Sequence, residues 1–412
     1  MVIRPDVYKR QWLDLGRELG DDVMLLNAVP WVIDSFTWVR APEPEDFELI
    51  VEALGVDVWS LDLSGRRRLS LRRSWRDLDA PGLRAWLLAN LAGDWAFGLP
   101  LQTIADELPG DAPLALADEA CRAAGQSADS ESADEALFWR CMTLVGTPDA
   151  EAQLADAKRV SAMNFAVFGA GRLIGGIAFA RLGRLDDMGE WTAETLLLAE
   201  RSGDRLLRSN GLAQQALEAL ARGRPEDARR AVEQAVQAAP QEPAVQLSAA
   251  MFAVAELLAA GQPNEARPLA ELLDSTPLYD LSHLVGAVAA AQGDTDTARA
   301  VLDAWKEAGH PLVADLMHSA RLWAYAECAH AVGDQDAARL LYGELLPYDG
   351  QLLLCAWCFV TSSAAFSLGR LAGTLGDDDR ARPHYTEALT FEESCGAEML
   401  AARTRRSLTR LS

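Results

Sequence analysis

The sequence predicts an all-α protein, an α-solenoid of helix hairpins, and two observations carry that prediction. The first is a repeated corner. Gly223, Gly261, Gly293, Gly333 and Gly376 are each followed five and six residues later by Ala-Arg, at spacings of 38, 32, 40 and 43 residues (Ala228-Arg229, Ala266-Arg267, Ala298-Arg299, Ala338-Arg339, Ala381-Arg382). Self-similarity at such a period marks arrays in which each hairpin buries its apolar face on the next. The second is the chemistry of the corner, clearest from Leu375 to Leu389. Gly376 supplies the left-handed residue that ends one helix, and Asp377 to Asp379 offer a side-chain cap and negative charge to the amino end of the next. Ala381, Tyr385 and Ala388 then follow at spacings of four and three, one stripe of the second helix. Gly369, seven residues before the corner, marks a close approach of two helices.

These residues resemble the tetratricopeptide repeat, with a glycine in the first helix, a turn glycine seven later, then alanine, aromatic and alanine on the second helix. Gly369, Gly376, Ala381, Tyr385 and Ala388 match that pattern, as do Gly286, Gly293 and Ala298. Pro240 stands where the family often has its terminal proline. Most repeats here exceed the family's usual length of about 34 residues. They look more like the looser arrays at the carboxyl end of large ATP-binding bacterial regulators of the LuxR and MalT type. Leu341-Tyr342-Gly343-Glu344-Leu345-Leu346-Pro347-Tyr348-Asp349-Gly350 is similar to a stretch of those proteins. The resemblance covers about 160–412 well and extends toward residue 80.

In chain order, residues 1–11 look like a non-native, translated linker end, so an upstream domain is expected to be missing. Residues 12–79 read as a small α/β element, the remnant of that domain. Within it, Ala28 to Asp34 is a buried-strand pattern and Glu43 to Leu54 a helix closed by Gly55. Val56 to Leu63 alternates as a half-exposed strand, with a partner through Leu69 and Leu71 after the Ser64-Gly65 turn. Residues 80–412 form the tetratricopeptide-like domain. Helices are expected over Leu83–Phe97, Leu114–Ala124, Ser132–Leu144 and Asp149–Met163, then in pairs turning at Gly183, Gly223, Gly261, Gly293, Gly333 and Gly376. The Gly183 copy is degenerate, with Met188 in place of the alanine. The last helix, Ala397–Leu411, carries Arg403, Arg405, Arg406 and Arg410, read as cations of a solvated carboxyl-terminal cap.

Composition bounds the function. A chain of 412 residues, half of them hydrophobic, buries a large core. A net charge of −23 repels nucleic acid and anionic membrane, so neither is an expected partner. Six cysteines do not make a disulfide scaffold at this length. No signal peptide opens the chain, and the longest apolar run, Leu352–Val360, is too short to span a bilayer, so a cytoplasmic location is expected.

The chemical motifs reduce to structure. Phe168 to Gly176 has glycines like a dinucleotide loop, but the third comes one residue late and the segment keeps the repeat rhythm, which points to close helix packing. No G-x4-G-K-[ST] occurs, so no cofactor is expected. Asp34, ending an apolar run, loosely resembles the acidic second motif of an ATPase, with Ser35 in place of the second acid. Cys355-Ala356-Trp357-Cys358 lacks a second ligand pair for zinc and is expected inside an apolar helix as buried thiols. His310, His318 and His330 share no metal-ligand spacing. The arginines from Arg66 to Arg76 pair with carboxylates or with a lost domain more readily than with DNA.

The concave groove is therefore the expected site. In tetratricopeptide arrays the first helix of each pair lines it, and positions ten, six and three before the turn glycine point inward. The resemblance thus selects Met251, Leu258, His283, Trp323, Glu327, His330, Phe366 and Arg370 as a groove for a protein or peptide segment or a small effector. The competing expectation is that longer repeats shift the register and bury the aromatics. The function implied is a non-enzymatic interaction or sensor module of a bacterial signalling or transcriptional regulator. The alternative is a fragment of an ATP-dependent enzyme, of the signal-transducing ATPase class or a nucleotide cyclase, whose catalytic domain lay upstream.

Overall fold

A computed structural model of the chain describes residues 57–61, 67–70, scattered positions between 85 and 93, and then 112–126, 130–162, 165–275, 281–309, 312 and 314–410. The expectations for residues 1–56, and the 79/80 boundary, lie outside the described residues. Two compact units divide at Arg140 and Cys141. In the first, β1 (Asp57–Leu61) pairs antiparallel with β2 (Arg67–Ser70), the hairpin that the alternation and the Ser64-Gly65 turn predict. Helices α1 (Ala112–Ala124) and α2 (Ser130–Thr143) follow. Leu116, Ala117 and Ala120 of α1 pack there with Ala136 of α2.

The second unit is the array. Its helices pair as α4 (Phe165–Arg181) with α5 (Leu185–Ser202), α6 (Arg205–Ala221) with α7 (Pro225–Ala238), and α8 (Pro243–Ala259) with α9 (Pro263–Asp274). The series continues through α10 (Ser282–Gln292) with α11 (Thr295–Glu307), α12 (His318–Val332) with α13 (Gln335–Leu345), and α14 (Ala364–Thr374) with α15 (Asp378–Ser394). Helix α3 (Ala150–Val160) precedes these pairs and α16 (Glu398–Arg410) follows them. Asp149 caps α3 by accepting the Ala152 N–H at 3.1 Å.

The corners form as their residues dictate. The six turn glycines adopt φ between 68° and 77°. At Gly333 and Gly376 the next N–H returns to the preceding helix (Asp334 to the Ala329 carbonyl, 2.9 Å; Asp377 to the Ala372 carbonyl, 3.0 Å). The same aspartates then cap the second helix, accepting from Ala337 at 3.0 Å and Arg380 at 3.1 Å. Ala228, Ala266, Ala298, Ala338 and Ala381 are fully buried, so the repeated alanine is where helices approach too closely for a larger side chain. The arginine after it is solvated enough to pair along the array: Arg267 reaches the next cap, Asp294, at 2.5 Å, and holds that carboxyl well below the usual range. The degenerate Gly183 copy makes the same corner, with Met188 fully buried at the alanine position. A further corner, Gly396 with φ 69°, lacks the Ala-Arg pair and escapes the pattern.

Space around Gly333 and Gly376 is open, so a side chain there meets backbone strain and no clash. Gly333→Val and Gly376→Val should each cost about 1 kcal/mol or more in denaturant titration. Unchanged midpoints for both would refute the corner assignment.

The glycines of Phe168–Gly176 belong to α4, as packing requires. A Cβ at Gly175 would lie 2.5 Å from the Trp191 ring, and one at Gly176 would collide with the Gln214 amide. Arg172 stacks on Trp191 from the same helix, 3.6 Å from the ring centroid.

One element departs from the expected helix. Leu352–Cys355 and Phe359–Ser363 are strands β3 and β4 of a second antiparallel hairpin, with Cys355-Ala356-Trp357-Cys358 at its tip. Ala356 takes φ 48°, and the Cys358 N–H closes the turn on the Cys355 carbonyl at 3.0 Å. Every residue of both strands is buried, and a strand buried on both faces reads as a continuous apolar run that periodicity does not separate from a buried helix. Both thiols are buried as expected, and burial raises them, Cys358 to about 12.

Candidate functional site: the inner wall and its corner end

The β3–β4 hairpin decides which part of the inner wall is free. It packs against α4, α6, α8, α12 and α14, five of the six helices that lead into a glycine corner. Ser319, near the start of α12, donates its hydroxyl to the Leu354 carbonyl at 2.7 Å. At the tip, Trp357 donates to Ser248 at 2.8 Å and the Cys358 sulfur lies 4.0 Å from that of Met251. The leading halves of α12 and α14 are thus core.

The eight groove candidates separate accordingly. Met251, His283, Trp323 and Phe366, each ten residues before its glycine, are all buried. Leu258 is half-buried and packs on the main core. Glu327, His330 and Arg370 come together where α12 and α14 approach their corners. The Arg370 guanidinium pairs with Glu327 at 2.9 Å, and His330 meets the Thr374 hydroxyl at 3.0 Å. Arg370 is half-buried rather than a solvated groove charge, with 27% of its side chain exposed against 13% for Glu327. Burial and the Arg370 charge lower His330, which keeps it neutral at pH 7.

Sequence reasoning missed the fourth member. Arg403 of α16, expected in a solvated cap, lies with its guanidinium 4.0 Å from the Phe366 ring centroid. Arg370 lies over the same ring at 5.5 Å, and Tyr385 meets it edge-on, with centroids 5.5 Å apart. The Nε and Nη2 atoms of Arg403 are buried and donate to no acceptor. The available signal was its place three residues after Leu400 and one before Thr404, both buried. Arg405 and Arg406 of the same helix are exposed, as a solvated cap requires.

Beside this cluster, Glu392 is fully buried and accepts from the Ser363 and Thr404 hydroxyls, both at 2.6 Å, tying α15 to β4 and α16. Burial raises its carboxyl above the usual range. A raised folded-state value means that stability is lost as pH rises through that value and restored on acidification. Glu392→Gln should therefore gain stability on the wild type at pH 8 and lose that advantage toward pH 4; an advantage independent of pH would refute the assignment.

Among the described residues no helix is long and apolar enough to cross a membrane, and no three His, Cys, Asp or Glu side chains gather as a metal site. No family model matches the chain, and no curated protein matches it. Among solved structures, the chain is similar to "Crystal structure of APC/C hetero-tetramer Cut9-Hcn1" at 12% identity and TM-score 0.42, covering 95% of this chain and 74% of that one. It is also similar to "Circular tandem repeat protein with novel repeat topology and enhanced subunit contact surfaces" at 15% identity and TM-score 0.19, covering 99% of this chain and 95% of that one. Both scores are low, and the assignment of an all-α helical-repeat array rests on the hairpins, corners and buried alanines themselves.

Proposed function

We propose that the array is a non-enzymatic interaction module that takes a protein segment at the corner end of its inner wall, as part of a bacterial signalling regulator. The observation that supports this reading is the contrast along α12 and α14. Their leading halves are sealed by β3–β4, whereas Glu327, His330, Arg370 and Thr374 near the corners keep partial exposure. Opposite charges on an aromatic support suit recognition, because the apolar base supplies area and the charges fix direction. Met251, His283, Trp323 and Phe366 then act as the packed base behind the contact surface, and Leu258 continues its rim.

A charge swap tests it. Glu327→Arg with Arg370→Glu keeps the ion pair and reverses its direction, so folding should be retained while peptides selected from a random display library against the wild-type chain lose affinity by tenfold or more. Equal affinity of those peptides for wild type and the swapped double variant would place the contact surface elsewhere.

A further inference from the structure

Helix α14 carries Phe366, Arg370 and Gly373 at spacings of four and three, one stripe on a single face. The first two members are covered from within the fold: Phe366 by the Tyr385 edge and the Arg403 guanidinium, and Arg370 by the Glu327 carboxylate. The third is not. Gly373 is half-buried, yet a Cβ built on it would have nothing within 4 Å, so the stripe ends in a recess. Nothing in the fold asks for glycine there. Its φ is not left-handed, whereas at Gly369, one turn earlier, a Cβ would press on the Tyr385 ring at 3.0 Å. A helix glycine without either reason is a cost relative to alanine.

The polar groups beside the recess satisfy one another. The Thr374 hydroxyl donates to the Arg370 carbonyl at 2.9 Å and meets His330 Nδ1 at 3.0 Å, and Arg370 is paired with Glu327 at 2.9 Å. Contact with carbon is what Gly373 has left to offer, and that suits an apolar side chain. The charge around it is negative. Lys306, Arg339 and Arg380 pair with Asp334, Asp336 and Asp377 at the two adjoining corners. Asp378 and Asp379 are exposed and form no ion pair among the described residues, in a chain of net charge −23. We propose that the recess over Gly373 is the anchor pocket of the corner end, and that its partner is a basic protein segment seating one apolar side chain there with lysine or arginine beside it. The inference rests on the corner end being a binding surface. Glycine leaves out the methyl that would stand in the place of the anchor, and the exposed acids attract the flanking cations.

The experiment sequences the peptides that a random display library yields against the full wild-type chain, then titrates them into variants. The selected peptides should share an apolar residue flanked by lysine or arginine. Alanine at that residue, or Gly373→Ala in the protein, should weaken binding tenfold or more. Gly373→Ala should melt no lower than the wild type, because alanine suits a helix and meets no clash. Gly343→Ala is the control: it lies exposed on α13 with the same open space, and should melt likewise and bind as the wild type does. Asp378→Asn with Asp379→Asn should weaken binding and reduce its salt dependence. Unchanged affinity or a lower melting temperature in Gly373→Ala, selected peptides rich in acidic residues, or peptides with no apolar anchor would each overturn the proposal. Binding lost in the Glu327 and Arg370 charge swap but kept in Gly373→Ala would leave the corner-end surface standing without this anchor; binding kept in both would remove both.

Discussion

Phe366→Ala is expected to destabilise the array by about 3–5 kcal/mol, the range for truncating a buried aromatic. Phe366 has no solvent exposure, and its ring is met by three neighbours at once: the Tyr385 edge, the Arg403 guanidinium and the Arg370 guanidinium. Removing the ring opens a cavity between α14, α15 and α16 and takes away the aromatic partner of both cations. Phe366→Leu keeps most of the volume and loses the ring, so its cost should fall well below that of alanine. Urea titration of the two variants gives the ordering, and equal, small losses would mean that the ring is not core. If Phe366 lined an open groove, alanine would cost little and act on binding instead.

How much of this was legible in the sequence follows from which signals are local. A corner is specified by a handful of neighbouring residues, so Gly333-Asp334 and Gly376-Asp377 announce both the helix end and its cap, and the alanine five residues on announces close packing. The inner wall is specified by contacts between residues far apart in the chain. Trp357 reaches Ser248 across 109 residues, and no pattern within either segment states that pairing. The segment around Cys355–Cys358 reads as an apolar helix because burial on all sides erases the alternation that betrays a strand. That misreading has a consequence for the site. With the hairpin unseen, groove and core stay open as readings of Met251 and Trp323; the structure buries both, whereas Glu327, His330 and Arg370, which lie nearer the corners, keep partial exposure. Arg403 was missed for the opposite reason: a cation in a last helix ordinarily faces water, and its stacking on Phe366 depends on how α16 returns to the array.

That return is part of a closure which supports the second large effect. A Cβ at Gly183 would lie 2.7 Å from the Phe391 ring, and α16 packs on α6, so late corners meet early ones. On the other side, Arg181 at the end of α4 is 3% exposed and holds the closure from within. Its guanidinium donates to the carbonyls of Leu144 (3.0 Å) and Thr147, and to the side-chain oxygens of Gln153 and Gln351 (3.1 Å). Gln351 donates back to the Pro148 carbonyl at 2.5 Å, and Tyr348 donates to that of Gly146 at 3.0 Å. All four oxygens on Arg181 are neutral, so burial wins over charge attraction and lowers the guanidinium to about 10. Arg181→Ala should cost about 3–5 kcal/mol, because it strands acceptors that water does not reach and leaves the space of the side chain. Arg181→Met fills the space and strands the same acceptors, so it should cost less; Arg181→Lys keeps a donor and should cost least. A depressed basic group adds stability with rising pH above about 10, as the folded state releases the proton that the unfolded chain retains, so the Arg181→Met loss should be equal at pH 6 and pH 8. Because the network joins segments about 200 residues apart, its removal should also broaden the urea transition toward the stepwise melting of an open array. A sharp transition with a loss under about 1 kcal/mol in Arg181→Ala would show that the early and late helices hold together without it.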